Sequence, residues 1–346
     1  MPEIETLTSE NAKNWNSFVD ANPAATPYHY AQWQFAIEQA YGHKSSGLLA
    51  KDEHQQIEGI LPLVNFTSLK QSKHLCSLPF CDLGGPVAQD KSTRDALISQ
   101  AEKLSPKGTV ELRERATEQL AEESLDNYKT AKVSMLFKLP DSSETLLASF
   151  KPKLRSQIKK AEKNGLTARL VQDASLIDDF YHVISRNMRD LGSPVHSKAF
   201  FRTIMEMYGA NAASALVYLD GEPTAAGLIL MTPNNACIPW ASSLREYNKL
   251  APNMLLYWTF LAHVADKKIP IFDFGRSTIN QGTYRFKKQW GAKPWLLTWH
   301  EAGKEQTEQT VETTSKARQF VETVWQKMPL AVTNAIGPQI RKHISL

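Results

Sequence analysis

Apolar and polar positions alternate along this chain in two periods, and the period changes often. Between residues 15 and 42, Trp15, Phe18, Tyr30, Trp33, Phe35, Ile37 and Tyr41 recur at helical spacings and predict short helices. Residues 47–50 and 57–64 read as two strands around a polar turn. The apolar run 78–86, LPFCDLGGP, predicts a strand ending in a Gly-Gly-Pro loop, with a helix over 91–104 and strands over 109–113 and 133–138 after it. From 141 to 165 a single helix is expected: Asp141 or Ser142 can cap it, Leu146, Leu147, Phe150, Leu154 and Ile158 share one face, and Gly165 can close it. Beyond it the pattern gives a strand over 166–171, helices over 175–191 and 198–208, a hairpin of 214–219 with 224–231, and a strand over 236–242. A helix at 252–267, a strand at 270–274, a helix at 282–290, a strand at 295–300 and a helical tail over 311–346 complete the reading. The expected fold class is α/β, with mixed, mainly antiparallel sheets flanked by helices.

The 346 residues are enough for about two domains of ordinary size. Forty basic and 36 acidic residues leave a net charge of +4, too little to make the whole surface a DNA-binding one. Cys76, Cys81 and Cys237 are odd in number and lack zinc-type spacing, so they read as reduced core thiols, with neither a disulfide framework nor a metal site expected. The opening MPEIETLTSE is acidic where a secretory leader is basic, and the apolar stretch 212–231 is interrupted by Asp220, Gly221, Glu222 and Pro223. A cytoplasmic chain without a transmembrane segment is the expectation.

The densest chemistry lies between Pro239 and Trp299. A polar loop bearing Ser243, Arg245, Tyr247 and Asn248 precedes Pro252, and the helix after it is apolar nearly all round. Such a helix start offers free N–H groups and a positive dipole end to an anion such as a pyrophosphate, or is simply a capped helix packed on a sheet. Neither a P-loop nor a dinucleotide glycine fingerprint is present. In FDFGRSTINQGTYRFKKQWGAKPW, Phe272 and Phe274 share one strand face and Asp273 the other, while Gly275 permits a sharp turn that leaves Arg276 and Ser277 at the strand end. On the following helix Phe286 and Trp290 mark the buried face; Lys287 flanks it and Lys288 lies nearly opposite. A second basic run, KPKLRSQIKKAEKNGL, sets six cations against Glu162 and reads as an RNA-tracking stripe or a solvated helix face. His196 stands apart from the other histidines in a turn-rich loop, LGSPVHS; His43, His263 and His300 read as packing or surface residues.

Five stretches, LPFCDLGGP, KLRSQIKKAEKNGL, RNMRDLGSPVHSKAFF, WASSLREYNKLAPNMLLYW and FDFGRSTINQGTYRFKKQWGAKP, resemble the FemAB-like branch of the GNAT acyltransferase superfamily. The likeness is to the FemAB-related proteins encoded with bacterial exopolysaccharide and exosortase systems. The resemblance implies two tandem GNAT-like domains, 1–140 and 141–302, the second an acetyltransferase-type domain, followed by a helical tail, 303–346. It implies an acyltransferase that moves an acyl or aminoacyl group to an amine or hydroxyl of an envelope or exopolysaccharide precursor, by direct attack in a ternary complex. The donor would be acyl-CoA or aminoacyl-tRNA, with no tightly bound cofactor and no metal, in the cytoplasm or at the inner face of the membrane. The FK-motif lysine of Fem enzymes corresponds to Lys287, which with Arg276 would stabilise the developing oxyanion, Asp273 and His196 being the general-base candidates. Trp240, Ser242, Ser243, Arg245, Tyr247, Asn248, Asn253, Tyr257 and Tyr284 would bind substrates. The chain lacks the coiled-coil arm of tRNA-using members and the glycine-rich CoA loop of ordinary GNAT enzymes, which leaves a non-catalytic binding module as the rival expectation.

Overall fold

The structure, a computed structural model, describes residues 2–303 and 316–346. Its first half contains β1 (Glu3–Thr6), α1 (Ala12–Ala21), α2 (Ala31–Tyr41), β2 (Leu48–Lys51), β3 (Ile57–Leu61), β4 (Val64–Thr67), β5 (Lys73–Cys76), β6 (Val87–Ala88), α3 (Lys91–Leu104), β7 (Val110–Gln119) and β8 (Lys132–Lys138). The second contains α4 (Ser143–Ser149), α5 (Pro152–Lys163), β9 (Thr167–Val171), α6 (Ile177–Asp190), α7 (Lys198–Tyr208), β10 (Ala212–Leu219), β11 (Glu222–Met231) and β12 (Asn235–Ser243). After these come α8 (Pro252–Asp266), β13 (Ile271–Thr278), α9 (Gly282–Gln289), β14 (Lys293–Ala302), and the tail helices α10 (Lys316–Lys327) and α11 (Leu330–Arg341).

Four strands form one sheet in the order β1-β2-β3-β6, and ten form another, β4-β5-β7-β14-β8-β13-β12-β11-β10-β9. Pairing is antiparallel except at β5/β7 and β12/β13. The large sheet runs through both halves because β14 lies between β7 and β8. Its central hairpin explains the apolar stretch 212–231. Ala212, Leu216, Ala226, Leu228 and Leu230 enter one core with α2, α6 and α7, whereas Ala213, Ala215, Val217, Ala225 and Ile229 enter another with α4, α5 and α8. A period of two thus feeds two cores, and strands covered on both faces must be apolar throughout.

Two expectations need correction. The helix expected over 141–165 is broken: Ser142 caps α4 by accepting from the Thr145 N–H, then Phe150 and Lys151 are extended ahead of Pro152, which opens α5. Proline disfavours helical backbone in the residue before it, and apolar periodicity alone cannot register that stop. The stretch 78–86 is a loop, the strand there being β5 upstream. Leu78 and Phe80 adopt positive φ (70° and 69°), and the Gly84 and Gly85 N–H groups both donate to the Arg113 carbonyl of β7 at 3.0 and 2.9 Å. A Cβ at Gly84 would lie 2.3 Å from the Ser77 carbonyl oxygen, so only glycine permits this approach. The three thiols are buried and free. The expected tail is helical where described, residues 304–315 lying outside the described residues. Among the described residues no helix is long and apolar enough to cross a membrane.

Candidate active site

The site begins where the sheet opens. β12 and β13 pair in parallel only from Asn235–Ile271 to Cys237–Asp273. Beyond that point β13 continues along β8 and β12 along β11, so a wedge separates Ile238–Ala241 from Phe274–Arg276. Side chains from both halves and the tail close the wedge into a cleft of about 370 Å³, whose walls include Phe80, Asp82, His196, Trp240, Tyr257, Arg276, Lys287 and Arg341.

A bulge in β13 shapes the polar side of this cleft. Pairing with β8 steps from Asp273–Leu136 to Arg276–Ser134, leaving an extra residue, and Gly275 takes φ +73° there. The bulge turns two consecutive carbonyls toward α9, where Lys287 Nζ donates to the Gly275 oxygen at 3.0 Å and the Arg276 oxygen at 2.8 Å. Lys287 is 7% exposed, and among the described residues it makes no ion pair and its third N–H has no acceptor. Burial, opposed only by the more distant Asp273 and Asp82 charges, pulls its pKa down to about 8. Lys288, one residue on, is exposed and pairs with Glu122 at 3.1 Å.

Arg276 stacks on the Trp299 ring, its guanidinium 5.2 Å from the centroid, with the buried Arg113 guanidinium 5.1 Å from the same ring. Asp82, from the Gly-Gly loop, accepts from the Arg276 backbone N–H at 3.2 Å and sits 3.4 Å from its Nε. Among the described residues Asp82 supplies the only carboxylate side chain in the cleft wall. Asp273 lies behind that wall: its carboxylate accepts from Ser134 Oγ at 2.7 Å, the Gly275 N–H at 2.8 Å and Arg115 at 3.2 Å, and burial raises its pKa in spite of Arg115. Those bonds tie β13 to β8 and β7.

His196 is 3% exposed inside an aromatic cage of Tyr41, Phe80, Phe200, Phe201 and Trp240. Tyr41 hydroxyl lies 2.8 Å from its Nδ1 and accepts from the Ser197 N–H at 3.1 Å, while Nε2 has no partner. Burial holds the ring pKa well below its usual value, so the imidazole is neutral. Trp240 stacks on Trp33 (5.8 Å, 17°) and Tyr257 on Phe274 (5.6 Å, 13°).

The remaining expected site residues lie elsewhere. Ser242, Ser243, Arg245, Tyr247, Asn248 and Asn253 line the turn from β12 into α8, on the open edge of the wedge. They hold one another: Asn253 Nδ2 donates to Ser243 Oγ at 3.0 Å, Ser243 to Asn248 at 3.1 Å, Asn187 to Ser242 at 3.0 Å, and Arg245 to the Asp190 carbonyl at 3.0 Å. Tyr284 is buried in the α8 core with an unpartnered hydroxyl and does not reach the cleft wall. Sequence reasoning missed Asp82, although it lies in a motif that stood out, and missed Tyr41 and Arg341, for which no local signal exists.

Residues 148–288 match the family model described as "Acetyltransferase (GNAT) domain". No curated protein matches the sequence. Among solved structures, FemX aligns with a TM-score of 0.65 at 13% identity over 85% of this chain and 96% of its own. A tandem GNAT protein from the clavulanic acid biosynthesis pathway gives 0.52 at 12%, covering 88% and 100%. The C-terminal domain (DUF2156) of a putative lysylphosphatidylglycerol synthetase from Agrobacterium fabrum gives 0.53 at 13%, covering 84% and 92%. The chain thus has a GNAT fold, and its residues 148–288 are the part that is similar to the acetyltransferase family model.

Proposed function

We propose that this protein is an acyltransferase that carries an acyl or aminoacyl group from a thioester donor, acyl-CoA, to an amine of a cell-envelope or polysaccharide precursor. The observation that carries the reading is Lys287, a buried cation at the mouth of the wedge with two N–H groups fixed on bulge carbonyls and a third uncommitted. Such a donor stabilises the oxyanion that forms when an acyl carbonyl is attacked, and does so without reorganising. The donor's acyl arm would lie in the wedge between β12 and β13, and its phosphates would meet the polar turn of Ser243, Asn248 and Asn253 at the start of α8. The acceptor amine attacks the carbonyl carbon, the C–S bond breaks, and the thiolate leaves to be protonated. In place of Asp273 and His196 as base, this reading gives the amine's proton to Asp82, with Arg276 orienting that carboxylate.

Replacing Lys287 with Ala is expected to lower turnover by about tenfold or more, as for loss of one oxyanion contact, while donor affinity and thermal stability stay near wild type. Calorimetric titration of acetyl-CoA, longer acyl-CoAs and a charged-tRNA mixture identifies the donor. Saturable binding of an acyl-CoA supports the reading, binding of charged tRNA alone reassigns the donor, and unchanged turnover in the variant removes Lys287 from the mechanism. If nothing binds, the non-catalytic module stands in its place.

A further inference from the structure

The charges in the cleft do not balance. Its wall carries Arg276, Lys287 and Arg341 against Asp82 and the main-chain carboxylate of Leu346, and Asp82 is already paired with Arg276. Arg341 comes from α11, the last helix. Its guanidinium lies 5.7 Å over the Phe80 ring and donates to the Ile344 carbonyl at 2.9 Å, with no carboxylate at ion-pair distance among the described residues. The segment after α11 is fastened to the first half of the chain, which fixes where Arg341 stands. His43 Nε2 donates to the Lys342 carbonyl at 2.7 Å, the Leu69 N–H to the His343 carbonyl at 3.2 Å, and the Phe80 N–H to the Ser345 carbonyl at 2.6 Å. Phe80 adopts φ +69° to make this bond.

His196, in the same cleft, points to the same kind of ligand. The Tyr41 hydroxyl accepts from the Ser197 N–H and still has its own proton to give to His196 Nδ1. In that tautomer the neutral ring carries its hydrogen on Nε2, a buried nitrogen with no hydrogen-bond partner among the described residues. Two cations with no carboxylate at ion-pair distance among the described residues and one unpartnered ring nitrogen, gathered against Phe80, Trp240 and Phe201, are costly to bury unless a ligand joins them, and an anion satisfies all three.

We propose that the cleft recognises an oxyanion group, carboxylate or phosphate, on the acceptor substrate, and that Arg341 and the His196 Nε2–H receive it beside the aromatic wall. Naming the ligand as the acceptor rests on the acyltransferase reading; the anion site itself does not. The tail helix then determines specificity: it supplies the guanidinium that separates anionic amines from neutral ones. Arginine suits either source, as its planar fork matches both groups.

The test is calorimetric binding of alanine, phosphoethanolamine and ethanolamine to the full chain, in wild type, Arg341→Met and Arg341→Lys, with acetyl-CoA titrated separately. Wild type is expected to favour one anionic amine over ethanolamine by roughly tenfold or more, the size of a charge-assisted contact. Alanine binding assigns a carboxylate and phosphoethanolamine a phosphate. Arg341→Met, which keeps the aliphatic stem on Phe80, should lose the preference, and Arg341→Lys should restore it in part. Equal affinity for ethanolamine, a preference unchanged in Arg341→Met, or no measurable binding of either anionic amine would overturn the proposal. An intact anion preference with no acyl donor bound would instead overturn the acyltransferase reading and leave the anion site standing.

Discussion

Lys287 and Lys288 show how much of a site one helical turn decides. Tyr284 and Lys287 are the buried residues of α9, with Phe286 half-buried and Trp290 buried at its end, so Lys287 lies beside the cleft and Lys288 in solvent, where it pairs with Glu122. That contrast is legible from local periodicity, as is Trp240 on β12. What local pattern cannot convey is pairing across the chain: Tyr41 meets His196 across 155 residues, and Arg115 meets Asp273 across 158. Asp273 therefore reads in sequence as an available base, yet its oxygens are occupied by Ser134, Gly275 and Arg115. Burial of Lys287, with its pKa near 8, makes a further measurable claim. If its charge serves the reaction, turnover falls as pH rises through about 8, and this limb is absent from Lys287→Arg. The sign for stability is opposite. Because the folded value lies below the usual one, the unfolded chain binds this proton more readily between about pH 8 and 10.5, so stability gains with pH in that window. Parallel pH profiles of turnover and melting temperature that move the same way would contradict this assignment.

Among the elements, β13 contributes most through a single irregularity. Its apolar alternation is visible in the sequence, and Gly275 marks a turn there, but the strand runs on to Thr278 instead of ending, because the bulge lets it keep its pairing with β8. The bulge itself presents the carbonyls that hold Lys287. A Cβ on Gly275 would meet nothing closer than 3.7 Å, so Gly275→Ala suffers from its positive φ and not from crowding. We expect a stability loss of about 1–2 kcal/mol, with a proportionally larger fall in turnover as the carbonyl pair shifts. Denaturant melts compared with single-turnover rates check this, and a change in stability alone would show that the bulge does not serve the site. The break between α4 and α5 carries a related lesson. Pro152 marks the stop, but the continuous apolar face on either side masks it in the sequence, since both helices pack into the same core.

At the scale of the molecule, the alternation of elements announced an α/β fold with mixed sheets, while strand order lay beyond its reach. Nothing local says that β14 must insert between β7 and β8, because that choice depends on which edges are free when the last strand arrives. The same insertion has a consequence for the order of events during folding. A chain that has emerged only as far as residue 140 holds β7 and β8 without the strand that joins them, and β8 also lacks β13. Such edges are templates for pairing with other chains. A fragment of residues 1–140 is expected to aggregate, and a stable monomer of that fragment by light scattering would refute this. Completion of the sheet has to wait for residues 293–302, long-range pairings that place the slow step of folding late in synthesis and leave the newborn first half in need of protection until then.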